Sequence, residues 1–135
     1  MIRSEILATG MFVPKNLIKN DDLPKALDTS DEWIRQRTGI EQRYWVDANT
    51  STSDLAVEAC NKALSNAKVD KSEIDMIIAA TLSPDHEFPG LACFVQKKLA
   101  SLAFPLLIFA SSVPVLFIQC RLQISLSDQA RIKKF

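Results

Sequence analysis

The stretch 28–43, DTSDEWIRQRTGIEQR, carries the clearest structural signals in this 135-residue chain. Ser30 is a preferred N-cap residue. The acids Asp31 and Glu32 follow it in what would be a first helical turn, where the helix dipole favours negative charge. Gly39 is the usual residue just after a helix C-terminus. The sequence therefore predicts a short helix between Ser30 and Gly39.

Two side chains of this helix indicate a binding role. Trp33 and Arg37 are four residues apart, so they lie on one helix face. An indole beside a guanidinium can hold a flat heterocycle and its phosphates, because Arg both stacks on rings and pairs bidentately with phosphate. The alternative is structural, a surface helix with a half-buried Trp, since Trp is highly buried on average. Spacing alone leaves both interpretations open.

The rest of the sequence alternates between strand-like and helix-like patterns. Short apolar or β-branched runs predict strands, and apolar residues at 3.6-residue spacing after a capping residue predict helices. In the last predicted helix, Leu91, Val95 and Leu99 form an inward stripe. Strands that alternate with helices predict an α/β layer architecture. The predicted strands are 2–9, 40–46 and 76–81, the predicted helices are 20–27, 30–38, 52–67 and 90–98, and a short capped turn covers 70–73.

Composition argues against several classes of function. The 16 basic and 16 acidic residues cancel, so no charged surface for nucleic acid is indicated. Cys60, Cys93 and Cys120 show no ligand spacing with the single His86, which argues against a metal site or a disulfide framework. Residues 1–10 lack the apolar core of a signal peptide. These observations predict a cytoplasmic protein without a bound metal.

Several motifs in a fixed order resemble a known family. DTSDEWI followed by RTGI, then SDLAVEACNKAL, then EIDMIIAATLSPDHEFPGLACFVQKKL, resembles the N-terminal third of β-ketoacyl-acyl-carrier-protein synthase III, from about Arg3 to Leu102. The resemblance implies an incomplete N-terminal half of a thiolase-type α/β fold, with layered helices and a mixed sheet. It assigns residues 1–102 to the condensing-enzyme domain.

The resemblance also implies a ligand. In that family, the Trp at the position of Trp33 stacks on the adenine of coenzyme A, the Thr at Thr29 hydrogen-bonds the same ring, and the Arg at Arg37 holds the phosphates. Thr29, Trp33 and Arg37 are therefore the expected coenzyme A contacts, with the coenzyme A thioester as a substrate and no covalently bound cofactor. The family condenses acyl-coenzyme A with malonyl-acyl carrier protein to start fatty-acid synthesis, and its members are homodimers.

The family's catalytic Cys, His and Asn have no counterparts in this chain. Cys60 and Cys93 lie among apolar residues of predicted helices, outside the family's nucleophile motif. We therefore assign no catalytic residue and expect the chain alone to be inactive, although the family is one of acyltransferases.

The composition changes abruptly after Leu102. Residues 102–118, LAFPLLIFASSVPVLFI, carry no charge, and several basic residues follow. The family continues here with a short buried strand and a motif resembling DIRxQCSGF. The codons permitted for this stretch allow, in the neighbouring frame, the string GIPAIDIR, one open position and then QCSGFIYSMQ. We therefore interpret residues 103–135 as an aberrant tail translated out of frame.

Three explanations remain open at the sequence level. The chain is an inactive fragment of the condensing enzyme, or a sequencing error hides an intact enzyme, or a coenzyme A-binding or tail-anchored membrane module has been retained without catalysis. Membrane anchoring is the weaker hypothesis, because the uncharged stretch is shorter than the about 20 residues needed to span and contains Pro105 and Pro114. A related condensing enzyme of specialised metabolism is a further alternative, although Thr29 and Trp33 favour the fatty-acid type.

Loss of the family's next segment also predicts a structural defect. We expect the strand at 76–81 to lack a partner on one side and to expose apolar surface, which favours aggregation.

Overall fold

The computed structural model describes residues 5–23 and 27–100, together with the backbone of 106–109. Within these ranges the chain forms short strands, three α-helices and two 3₁₀ turns, in mixed order. The strands are β1 (Asn16–Lys19), β2 (Gln42–Trp45), β3 (Ile77–Ala80) and β4 (Leu106–Phe109), the helices are α1 (Asp31–Thr38), α2 (Thr52–Ala67) and α3 (Leu91–Leu99), and the 3₁₀ turns are Asn20–Asp22 and Lys71–Glu73.

The described strands form two separate pairs. β1 and β2 are antiparallel, with Asn16 opposite Trp45, whereas β3 and β4 are parallel, with Ile77 opposite Leu106. A parallel pair needs a crossover connection, and α3 lies in the segment between β3 and β4. This mixture of helices with parallel and antiparallel strands is an α/β arrangement, as the sequence predicted.

The hydrophobic core lies where α3 meets α2 and β3. Leu91 and Val95, two members of the predicted inward stripe of α3, are buried, and Leu99 packs against them while partly buried. Ala92, next to the stripe, is fully buried, and Ala79 of β3 completes the cluster. The helix therefore points the predicted face inward.

Small residues on α2 permit a close approach of the preceding chain. A Cβ atom added to Gly10 would lie 2.2 Å from the carbonyl oxygen of Ala59 and 2.9 Å from the Cβ of Ala63. The Asn66 side chain also donates a hydrogen bond to the carbonyl of Thr9, at 3.0 Å. The segment before β1 is thus held directly against α2.

The strand predicted at 2–9 is wrong in the part that the structure describes. Residues 5–9 of the predicted strand 2–9 form no strand, and residues 2–4 lie outside the described ranges. The apolar run has no described strand beside it to pair with. At its end, the Thr9 carbonyl instead accepts a hydrogen bond from Asn66 of α2. The sequence also missed β1, whose Asn and Lys residues hide the strand pattern.

The predicted helix over 20–27 is also replaced. The chain forms only the 3₁₀ turn Asn20–Asp22, and residues 24–26 lie outside the described ranges. Lys19 holds the N-cap position of this turn, and the Asn20 side chain bonds instead to α1 and β2. The short turn predicted at 70–73 is confirmed, with the Asp70 side chain accepting a hydrogen bond from the Ser72 amide.

The strand predicted at 76–81 has one described neighbour. β3 pairs with β4, which lies inside the segment that we interpret as out of frame. Among the described strands, β3 therefore has a partner on one edge and none on the other.

None of the helices in the described part of the chain is both long and apolar enough to cross a membrane. Apart from the β4 backbone, the tail 103–135 lies outside the described residues, and so does Cys120.

Candidate functional site

The helix α1 begins and ends where the sequence predicted. The Ser30 hydroxyl accepts a hydrogen bond from the Trp33 amide at 3.1 Å, which satisfies one of the unpaired donors of the first turn. Gly39 adopts φ of 70°, and its amide donates to the Arg35 carbonyl at 2.9 Å. The left-handed conformation at the C-terminus is one that glycine adopts without a steric penalty.

Trp33 and Arg37 come together on the outer side of this helix. The guanidinium carbon of Arg37 lies 4.6 Å from the centre of the Trp33 ring, which is cation–π geometry. Trp33 is 50% exposed. A half-exposed indole beside an exposed guanidinium provides a flat surface and a positive charge at one place, as the i, i+4 spacing predicted.

Arg37 differs from its neighbour Arg35 in its ionic partners. The guanidinium of Arg35 pairs with Asp31 at 2.9 Å and with Glu41 at 3.0 Å. No carboxylate of the described residues lies within ion-pairing distance of Arg37. The charge of Arg37 is therefore available to an anionic ligand.

Thr29 lies directly before the N-cap, but its hydroxyl points inward. Its Oγ1 atom is buried and has no hydrogen-bond partner among the described residues. Its amide donates to the Leu27 carbonyl at 2.8 Å. The structure thus brings Trp33 and Arg37 together, whereas the Thr29 hydroxyl must rotate about its Cα–Cβ bond before a ligand can reach it.

A polar network that the sequence did not predict joins α1 to the residues before and after it. Asn20, 5% exposed, donates from its Nδ2 atom to Asp31 Oδ1 at 2.7 Å and to the Ile40 carbonyl at 2.9 Å. Its Oδ1 atom accepts from the Arg43 guanidinium at 2.5 Å. The hydrogen bond from Asn20, with a second one from Arg35, lowers the pKa of the Asp31 carboxyl.

A second network joins α2, α3 and the loop between β3 and α3. The ammonium group of Lys98 contacts Ser51 at 3.0 Å, Ser53 at 2.7 Å and Asp54 at 2.5 Å. Ser53 is fully buried, and both its amide and its hydroxyl donate to the Asp85 carboxylate. Because no surface of Ser53 is accessible, its hydroxyl cannot act as a nucleophile toward a ligand, and the network is structural.

Charge and hydrogen bonding lower the pKa of both carboxyl groups of this network, Asp54 and Asp85. Hydrogen bonds from Lys98 and then from Ser51 hold the pKa of Asp54 far below its ordinary value. At Asp85, partial burial alone would raise the pKa, but the hydrogen bonds from Ser53 and the charge of Lys98 bring it below the ordinary value. Both groups are ionised at neutral pH.

The other residues weighed for chemistry occupy structural positions. Cys60 packs against the core, and burial raises the pKa of its thiol, which disfavours the reactive thiolate. The Cys93 thiol lies 3.4 Å from the Pro89 carbonyl, and the ring of His86 lies 5.3 Å from that of Phe94. No group of three metal-ligating side chains is found in the part of the chain that the structure describes.

A cleft of about 550 Å³ lies elsewhere, between β2, the start of α2 and the segment before β1. None of the three expected coenzyme A contacts lines it. Its walls are Phe12, Pro14, Lys15, Asn16, Trp45, Val46, Asp47, Thr50, Asp54, Leu55 and Glu58.

No family model matches the chain, but individual proteins do. It is 52% identical over 101 residues to a β-ketoacyl-acyl-carrier-protein synthase III of Clostridium perfringens, which covers 75% of this chain and 31% of the relative. A synthase III of Ehrlichia canis is 52% identical over 99 residues, covering 73% of this chain and 31% of its own.

The fold agrees with the sequence comparison. The crystal structure of 3-oxoacyl-acyl-carrier-protein synthase III from Aquifex aeolicus superposes with a TM-score of 0.72 at 40% identity, over 78% of this chain and 34% of that one. The chain thus spans about a third of the length of the relatives that it matches. In sequence and in fold, this chain matches the N-terminal third of the β-ketoacyl-acyl-carrier-protein synthase III family.

Proposed function

We propose that this chain carries part of the coenzyme A site of a β-ketoacyl-acyl-carrier-protein synthase III. Such an enzyme starts fatty-acid synthesis in the cytoplasm by condensing acyl-coenzyme A with malonyl-acyl carrier protein. In this proposal, residues 1–102 are the N-terminal part of the condensing-enzyme domain. The observation that carries the proposal is the contact between Trp33 and Arg37. The 52% identity to one such synthase over 101 residues supports it.

The geometry supports coenzyme A over an uncharged acyl group as the ligand of α1. An adenine ring can stack on the exposed part of Trp33, since aromatic surfaces favour offset stacking. Arg37, which no described carboxylate neutralises, supplies charge-assisted hydrogen bonds to phosphate. The Thr29 hydroxyl, buried without a partner among the described residues, gains a hydrogen bond if it rotates toward the adenine.

Direct binding tests the proposal on the chain itself. We expect isothermal titration calorimetry of the 135-residue chain with coenzyme A to show one site. Replacing Arg37→Gln removes a charged hydrogen-bonding group worth about 1.5–3 kcal/mol, so the affinity falls about 10- to 100-fold. Trp33→Ala is expected to reduce the affinity for coenzyme A, because the adenine loses its stacking surface.

Two controls make the result specific. Lys97→Gln removes the same charge from the last turn of α3 and is expected to leave the affinity unchanged. Pantetheine, which lacks both adenine and the nucleotide phosphates, is expected to bind weakly and equally to the parent chain and to Arg37→Gln. Equal coenzyme A affinity in Arg37→Gln, Trp33→Ala and Lys97→Gln would refute the proposed site.

A further inference from the structure

The helix α1 has little hydrophobic packing, since Ile34 is its one partly buried apolar residue. It has eight residues, and none of them is buried. An isolated helix of this length is marginal in water, and most protein helices depend on a buried apolar face. Contacts beyond this small apolar contribution are therefore needed to fix where Trp33 and Arg37 lie.

Asn20 makes the contacts that can do so. Its Nδ2 atom bonds to Asp31, the first residue of α1, and to the carbonyl of Ile40, just beyond the C-terminal Gly39. One side-chain amide therefore bridges the two ends of the helix. Its oxygen accepts from Arg43 on β2, so the bridge is also tied to the β1–β2 pair.

The chemistry of the partners permits only one orientation of this amide. The Asp31 carboxylate and the Ile40 carbonyl accept hydrogen bonds, and the Arg43 guanidinium only donates. The Asn20 nitrogen must face the first two and its oxygen the third. Asparagine supplies two donors and an acceptor in this arrangement, whereas aspartate supplies no donor when it is ionised.

We propose that Asn20 is the positioning residue of α1. Through its bridge between Asp31 and Ile40 it fixes the orientation of the helix, and thereby holds Trp33 and Arg37 in the geometry that receives coenzyme A. Asn20 does not touch the ligand in this arrangement. The part that concerns coenzyme A rests on the proposed function, whereas the part that concerns the helix does not.

The informative variant is Asn20→Asp. It keeps the size of the side chain and an acceptor for Arg43, but it turns a carboxylate oxygen toward Asp31 and the Ile40 carbonyl, so both ends of α1 lose their donor. Asn20→Ala removes all three contacts and serves as the second variant. Asn66→Asp is the matched control, because the Asn66 amide also donates to a backbone carbonyl, that of Thr9.

Two measurements on each full-length variant separate the possible outcomes. Amide hydrogen exchange without ligand is expected to show at least tenfold faster exchange in α1 for Asn20→Asp, with α2 unchanged. Coenzyme A affinity is expected to fall about tenfold, and pantetheine affinity to stay constant. Asn66→Asp is expected to change neither the exchange of α1 nor the affinity for coenzyme A.

Each other result decides against one specific claim. Unchanged exchange in α1 would overturn the positioning role. Faster exchange in α1 and α2 together, in both Asn20 variants, would show that Asn20 supports the whole fold and would overturn it as well. Selective loosening of α1 in a chain whose parent binds no coenzyme A would uphold the role of Asn20 in the helix and refute the proposed function.

Discussion

Two arginines on one short helix have different roles because of what lies four residues before them. Arg35 follows Asp31 at i+4 and forms an ion pair with it, whereas Arg37 follows Trp33 and lies over its ring. The spacing rule for helices predicts both contacts from the sequence. Which of the two arginines pairs with a carboxylate on the same helix was therefore predictable residue by residue.

Asn20 shows the limit of such local reasoning. An Asn before a helix-like run favours a cap, and the sequence carries no sign of its partners, since Asp31, Ile40 and Arg43 are 11 to 23 residues away. The contacts depend on how α1 folds back between β1 and β2. Long-range polar contacts of this kind follow from the tertiary fold and not from the propensities of a segment.

Two glycines are expected to respond differently to substitution by alanine. At Gly39 nothing lies within 4 Å of an added Cβ, so Gly39→Ala costs only the left-handed backbone strain, about 1 kcal/mol. At Gly10 the added Cβ would overlap the backbone of α2 at Ala59, so Gly10→Ala costs about 1–3 kcal/mol or more. Urea unfolding measures both free energies of unfolding, and an equal cost at the two sites would contradict the close approach at Gly10.

At the scale of elements, the Lys98 network ties three segments that the sequence presents as separate. The N-terminus of α2 supplies Ser53 and Asp54, the loop after β3 supplies Asp85, and α3 supplies Lys98. The two helices were predicted with nearly correct bounds, because caps and 3.6-residue periodicity are local signals. The hydrogen bonds of Lys98 that connect the segments were not predicted, because a Lys looks the same in sequence whether or not it has partners.

This network predicts a loss of stability in acid. The pKa values of Asp54 and Asp85 are lowered in the folded chain relative to the ordinary 3.8, so the unfolded chain binds protons first as the pH falls. Their stabilising contribution is complete above about pH 5 and is lost as the pH falls through 3.8 toward the folded values. Urea unfolding between pH 7 and pH 3 measures it.

Asp85→Asn isolates the contribution of the loop. It weakens the hydrogen bonds from Ser53 and is expected to lower the free energy of unfolding by about 1–2 kcal/mol at pH 7. Between pH 7 and pH 3, the free energy of unfolding is then expected to fall less than in the parent chain. Asp75→Asn is the control, since Asp75 is exposed and makes none of the described hydrogen bonds or ion pairs. The same pH dependence in both variants and the parent would rule out the network as its source.

The strands show why tertiary context decided part of the fold. Residues 77–80 form a strand as their apolar run predicts, whereas the similar run at 5–9 forms none. A strand needs a partner for its backbone groups, and β3 has β4 while residues 5–9 have no described partner. The antiparallel pairing of β1 with β2 conversely makes a strand from a polar segment.

At the scale of the whole molecule, many large apolar side chains of the described residues are exposed. Ile6 is 82% exposed and Phe88 90%, and Leu7, Met11 and Leu82 are also exposed. Exposed apolar surface and an edge of β3 that no described strand pairs with favour association. We expect the purified chain to self-associate as its concentration rises, which sedimentation velocity measures.

A charge-matched pair of variants tests this cause. Ile6→Lys combined with Leu7→Lys is expected to reduce the association, because both side chains are exposed and apolar. Asn61→Lys combined with Ser65→Lys adds the same charge to the exposed side of α2 and is expected to reduce it less. A parent chain that stays monomeric at every concentration would refute the expectation.

The pairing of β3 with β4 bears on the origin of the tail. A parallel strand is held by backbone hydrogen bonds, so a short apolar run such as LLIF at Leu106–Phe109 can pair whether or not it is the inherited sequence. The presence of β4 is therefore compatible with an out-of-frame tail. We predict that the gene, read in the neighbouring frame after codon 102, encodes a Gln-Cys-Ser-Gly-Phe-like string next to the strand. Nucleotide sequencing from codon 90 to several hundred bases past codon 135 checks this, and a neighbouring frame without that string would show that residues 103–135 are not a shifted copy of the family's segment.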